Sequence, residues 1–248
     1  MRFILTAFLL FSAPMAWAFD IESMSDAERD IFRAEIRDYL LENPEVLMEA
    51  IAVLEERREA EAAVADVQLI EQHRNAIFDD GFSYVGGNPD GDVTVVEFLD
   101  YRCGYCKRAF PAVEELLASD GNIRLVVKEF PILGEQSVLA SRYALAAKMT
   151  AGDAAYKSIH DAMMTHNGAV NEGFLARTSR QLGLDHDAIA TAMDSDEVSD
   201  VINTNRALAQ VLQIQGTPSF IMGETFVRGF VELDQMRAIV ASVRAEAG

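Results

Sequence analysis

The most constraining feature of this chain is a junction. Val93-Thr94-Val95-Val96-Glu97-Phe98-Leu99 is a β-branched run suited to a buried strand. Cys103-Gly104-Tyr105-Cys106 follows it directly, and a helical pattern then runs from Lys107 to Leu117. These are the only two cysteines in the 248 residues, which excludes a disulfide-rich scaffold. A spacing of three along a first helical turn brings the two sulfurs within bonding reach. It also sets Cys103 beside free amides at the helix N-terminus, where the amides and the helix dipole favour a thiolate. Cys106, one turn in, is better shielded and suited to resolving a mixed disulfide. A purely stabilising disulfide fits poorly, because so short a loop removes little unfolded-state entropy. Zinc requires three or four protein ligands, and none of His73, His160, His166 and His186 pairs at a ligand spacing. Cu(I) accepts two thiolates, with Met222 as a further soft donor. Copper binding is therefore the alternative to redox exchange.

The order of elements around this junction is α/β. Phe82–Val85 reads as a short strand, followed by dense turn chemistry in Gly86-Gly87-Asn88-Pro89-Asp90-Gly91. Ile123–Phe130 reads as the strand after the cysteine helix, making a parallel βαβ unit with a right-handed crossover. Residues 137–212 are helical in pieces, broken at Gly152, Gly168, Gly183 and Asp196. Ser219–Met222 and Thr225–Arg228 pair about Gly223-Glu224, and Leu233–Ala245 closes the chain as a helix. The hairpin is expected to join the same sheet, which makes the long helical stretch an insertion.

Upstream, residues 25–78 read as helix with one sharp break at Asn43-Pro44. Ser25 and Glu28 form a capping box. Phe32, Ile36, Tyr39 and Leu40, then Leu47, Ala50, Ile51 and Leu54, form apolar stripes. The charged run Glu55–Glu61 is a solvated linking helix. The stripes need cover, either from a partner subunit or from the main domain, and the partner subunit is the expected one. Residues 1–18 carry Arg2, an apolar run from Phe3 to Phe11 and Ala16-Trp17-Ala18, the pattern of a cleaved signal peptide. A disulfide-permissive compartment, best a bacterial periplasm, is expected. With 40 acidic against 21 basic residues and a net charge of −19, no nucleic-acid partner is expected.

The stretch GNPDGDVTVVEFLDYRCGYCKRAFP, with KEFPILGEQS and the closing GTPSFIMG, resembles the DsbA-like branch of the thioredoxin superfamily over residues 80–245. The helices before it resemble those of the ScsC subgroup, which is linked with copper tolerance. The resemblance implies a thioredoxin fold with an inserted helical domain at about 135–212, preceded by an N-terminal helical oligomerisation segment. The domains are then 1–18 signal peptide, 19–60 oligomerisation region, 61–80 helical linker and 81–248 catalytic domain. It implies Cys103 as nucleophile, Cys106 as resolving thiol, and a cis Pro218 lying against them. Thr217 would offer backbone hydrogen bonds to an extended client, with Gly104 and Tyr105 completing the client-binding set. Gly104-Tyr105 and Thr217 replace the Pro-His and Val of the best-known oxidases, which argues against a strongly oxidising role. A carboxylate buried in a Val-Val-Glu-Phe strand is costly, so Glu97 needs either a purpose or an exit to solvent. The resemblance places it beneath the disulfide as a proton shuttle. Lys128, at the end of the next strand, is its candidate partner. The implied activity is protein disulfide oxidation or isomerisation without an organic cofactor. Its partners would be client thiols, a membrane redox protein that resets the site, and further copies of the chain, with a trimer favoured.

Overall fold

The computed structural model describes residues 23–247, so the signal-peptide expectation lies outside the described residues. The chain divides into two compact units, one ending at Arg58 and the other beginning at Glu59.

The first unit holds α1 (Asp26–Glu42) and the start of α2 (Glu45–Gln72). Ser25 and Glu28 form the expected capping box, and Asn43 closes α1 with its N–H on Tyr39 O. No residue of α1 is buried. Phe32, Ile36, Tyr39, Leu47, Ile51 and Leu54 are all exposed.

The second unit is built on a five-stranded sheet of order β1-β3-β2-β4-β5. Its strands are β1 (Tyr84–Gly87), β2 (Val93–Leu99), β3 (Ile123–Glu129), β4 (Ser219–Met222) and β5 (Thr225–Arg228). The first strand lies two residues later than expected, because Asp80 accepts from the backbone of Phe82 and Ser83 and holds them in a turn. β2 and β3 are parallel, connected by α4 (Gly104–Asp120), while β1 and β4 pair antiparallel on either side. β2 is thus a central strand, as its continuous apolar run requires. The β4–β5 turn needs Gly223, whose φ is +59° and whose Cβ would lie 2.5 Å from Val243.

Alternate residues of the strands face two cores. Val95, Leu99, Leu125 and Val127 pack with α4, with α10 (Leu233–Ala247) and with an inserted block. That block comprises α5 (Glu135–Ala151), α6 (Asp153–Thr165), α7 (Glu172–Gln181), α8 (His186–Ala192) and most of α9 (Asp196–Val211). Val96, Phe98, Val126 and Ile221 pack on the other side. There Ile70 meets them from the end of α2, Ile77 and Phe78 from α3 (Arg74–Phe78), and Leu208 from α9. Each large apolar side chain buried there contributes about 1.5–3 kcal/mol. Residues 61–80 therefore supply core to this unit besides being helical.

Candidate active site

Cys103 is the N-cap of α4, in extended conformation, with its sulfur accepting from Cys106 N at 3.4 Å. The helix begins at Gly104, three residues earlier than the side-chain pattern indicates, because the cap itself satisfies the first-turn amides. Both cysteines are free and buried. Their acidities are driven apart. A hydrogen bond from the Cys106 thiol, aided by the Thr217 side chain and by the Cys106 and Tyr105 amides, holds Cys103 down at about 5 despite partial burial. Burial, with the neighbouring Cys103 sulfur and Glu97, pushes Cys106 upward. One sulfur is thus ready as thiolate and leaving group, while the other keeps its proton.

The Thr217–Pro218 peptide is cis, and the Cys103 sulfur lies 3.0 Å from Thr217 O, to which it donates when protonated. The pair comes from the chain just ahead of β4, whose Phe220 lies opposite Glu97. Glu97 is buried on the central strand, and its Oε1 has no hydrogen-bond partner among the described residues. Burial pushes its carboxyl up to about 8, with the charges of Glu114, Cys103 and Glu129 adding. Gly104 and Tyr105 are on the surface, and Tyr105 is 62 % exposed. The Tyr105 ring centroid lies 6.5 Å from that of Phe230, which Arg108 covers at 4.7 Å. Met222 is buried at the β4 position opposite Val95.

The expected Glu97–Lys128 pairing is not formed. Lys128 lies opposite Phe98, one residue off the Glu97–Val127 pair, so its side chain leaves on the other face. It pairs there with Asp80 at 2.5 Å and donates to Ala76 O.

Two acids in the site were not singled out by sequence reasoning. Asp100 is fully buried; its Oδ1 accepts from Arg102 N at 2.7 Å, and its Oδ2 from Ile132 N and Leu133 N at 2.8 and 3.0 Å. Its carbonyl takes the Cys103 N–H. Asp100 thereby ties the turn before Cys103 to the loop after β3. Glu129, also buried, accepts from Tyr101 at 2.7 Å and Tyr156 at 2.5 Å. Glu129 follows Lys128 at the end of its strand, so in sequence it reads as part of a solvated strand end. Only the alternation Ile123, Leu125, Val127, Glu129 along one face could have singled it out.

Residues 94–241 match the DSBA-like thioredoxin domain, and residues 28–61 match the copper resistance protein ScsC N-terminal domain. A thioredoxin-like oxidoreductase from Silicibacter pomeroyi is 44 % identical, covering 69 % of this chain and 98 % of its own, with a TM-score of 0.66. Proteus mirabilis ScsC in a transitional conformation is 27 % identical over 92 % of this chain and 100 % of its own, also at 0.66. A curated relative, the sodium/proton antiporter NhaA 3 of Salinispora tropica, is 30 % identical over 66 % of this chain. The chain spans about a quarter of that relative's length. By its fold and by a match over more than half its length, the chain belongs to the DsbA-like thioredoxin family, with an ScsC-type N-terminal domain ahead of the catalytic fold.

Proposed function

We propose that this protein is a thiol–disulfide oxidoreductase acting in the periplasm on cysteines of secreted proteins through Cys103 and Cys106. The observation that carries this reading is the placement of two free thiols in one turn at the start of α4, with Cys103 as the N-cap and its sulfur 3.0 Å from the Thr217 carbonyl beside the cis Pro218. The split in their acidities follows from that geometry. A client thiolate attacks Cys103 of the Cys103–Cys106 disulfide, and Cys106 leaves. A second client thiolate then releases Cys103 and carries away the new disulfide. In the reduced form, Cys103 attacks a wrong client disulfide, and the client's own thiols resolve it in a new pairing. Thr217 and Pro218 steer the client chain, Gly104 and Tyr105 form its contact surface, and Glu97 exchanges a proton with Cys106. A membrane redox protein resets the pair. Among the described residues no helix is long and apolar enough to cross a membrane, and residues 1–18 serve as the export signal.

The exposed stripes of the N-terminal unit form an oligomerisation hub, a trimer in this reading, which lets several active sites face one misfolded client. The test is refolding of a scrambled multi-disulfide substrate, run beside oxidation of a reduced one and light scattering of the protein. Reshuffling by an oligomer supports the reading. A monomer at high concentration removes the hub, and stoichiometric Cu(I) binding without any thiol exchange replaces the enzyme with a copper carrier.

A further inference from the structure

Two strands each carry one acid where their pattern calls for an apolar residue. Glu97 of β2 lies opposite Val127, and Glu129 of β3 lies opposite Leu99. The two acids therefore project from the same face as diagonal neighbours, with Cα atoms roughly 8 Å apart at ordinary strand spacing. That face is the one that packs with both cysteines. Glu97 is 2 % and Glu129 1 % exposed. Among the described residues neither is in an ion pair, and Glu97 Oε1 and Glu129 Oε2 lack hydrogen-bond partners.

Among the described residues no cation touches Glu129. Glu97 faces it from β2, and Asp100 and Tyr101 from the turn after β2. Tyr156 and His160 come from α6, and the Tyr101 hydroxyl lies 3.1 Å from His160 Nδ1. Burial, with Lys157 adding, pushes His160 down to about 3, which keeps it neutral. Ser141 approaches from α5, and Asn205 of α9 donates to the Glu129 carbonyl. Two phenols donate to Glu129 Oε1, which leaves Oε2 as the seat for a proton.

We propose that Glu129 is a positioning residue for the proton of thiol exchange: it shares a proton-holding pair with Glu97 and sets the pH at which Glu97 can deliver its proton to Cys106. This rests on the reading of Cys103 and Cys106 given above. When the client thiolate bonds to Cys103, the Cys103–Cys106 bond breaks and its electron pair leaves on Cys106. The Cys106 sulfur takes the proton of Glu97, which becomes a carboxylate. The pair thus holds two protons before the step and one after it. Solvent returns the missing proton once the client's second thiolate has released Cys103 as thiolate. The client is oxidised by two electrons and the enzyme reduced by two. An ionised Glu129 would make Glu97 a weaker acid and hold its proton back from Cys106. Such a pair titrates as a unit. Burial, opposed at Glu129 by the Ser141, Tyr156 and Tyr101 hydroxyls and aided by Asp100, pushes Glu129 up to about 7. Burial, with the charges of Glu114 on α4, Cys103 and Glu129 adding in that order, pushes Glu97 up to about 8.

The experiment is carboxyl-carbon NMR titration of the full-length protein and of Glu129→Gln, with client oxidation rates measured across the same pH range. The expected result is two coupled midpoints near 7 and 8 in the wild type. In Glu129→Gln the Glu97 midpoint should fall by about one pH unit, and the rate profile should move with it. An unmoved Glu97 midpoint, or a Glu129 that titrates in the ordinary carboxylate range, overturns the inference. Should Glu129→Gln fail to fold, the wild-type titration decides together with Tyr156→Phe. That change removes a donor to the ionised form and should raise the Glu129 midpoint, and no movement there overturns the inference as well. Normal exchange with independent midpoints sinks this inference alone, whereas absent exchange in the wild type sinks the reading of the cysteines.

Discussion

The two faces of the sheet treat buried charge in opposite ways. On one face Lys128, with no exposed side-chain surface, meets Asp80, donates to Ala76 O and stands 5.7 Å from the Phe82 ring centroid. Burial works against the charge on Asp80, but Lys128 beside it holds the carboxyl below its ordinary value. On the cysteine face Glu97 and Glu129 are as deeply buried, and among the described residues neither is in an ion pair and each leaves one oxygen unpartnered. A buried charge that is paired and hydrogen-bonded fastens segments together. Here it fastens the 76–83 turn to β3. A buried acid with no cation beside it is pushed toward its neutral form instead. In the function proposed above, matched burial with mismatched pairing separates scaffold from chemistry in this domain.

Substitutions on the two faces should therefore fail differently. The largest effect is at the nucleophile. Cys103→Ser should lower thiol exchange by on the order of 10³-fold or more, whereas Cys106→Ser should accumulate client mixed disulfides visible on non-reducing gels. Equal residual activity in both would remove the division of labour between the sulfurs. On the opposite face, Lys128→Met strands the Asp80 carboxylate and should cost about 3–5 kcal/mol in denaturant unfolding. Exchange per folded molecule should stay at the wild-type value; a parallel loss of activity would erase the distinction between the faces.

Glu97→Gln should do the reverse. The folded protein holds the Glu97 proton up to about 8 against 4.5 in the open chain. Wild-type stability from this group therefore declines as pH rises through that window and levels off above it. Glutamine carries no such penalty. The variant should be more stable than wild type by a few kcal/mol at the upper end of the window, with little difference below it. Its exchange rate should lose the dependence on pH that Glu97 imposes. Wild-type kinetics at every pH would make Glu97 a tolerated strand residue. The smallest effect belongs to Thr217→Val. A hydrogen bond from the Thr217 side chain helps lower Cys103, so its loss destabilises the reduced form. The reduction potential should become more negative by about 30 mV or less, with no change in thermal midpoint.

The parts of this account legible in the sequence are local in chain. The strand that runs into Cys103, the cap at that residue and the hairpin about Gly223-Glu224 each depend on neighbours within a few positions. Glu97 was legible too, because an acid breaks an apolar run. What stayed hidden depends on register between distant strands. Lys128 looked like a partner for Glu97 because both lie in neighbouring strands. Sequence gave no sign that Lys128 stands opposite Phe98 and so faces away. Glu129, next to Lys128 at a strand end, carries no such signal, and its meaning comes from Tyr156, which lies 27 positions along the chain on an inserted helix. Asp100 looks like an ordinary loop acid until the 131–134 loop folds its amides onto it.

The central claim is that the fold makes Cys103 a thiolate at neutral pH. Ultraviolet absorbance of the reduced protein, followed against pH with Cys103→Ser as the blank, measures this directly. The account predicts a single thiolate transition centred near 5 that disappears in the blank. A Cys103 transition near the ordinary thiol value of 9.0, or one that survives in Cys103→Ser, would contradict it.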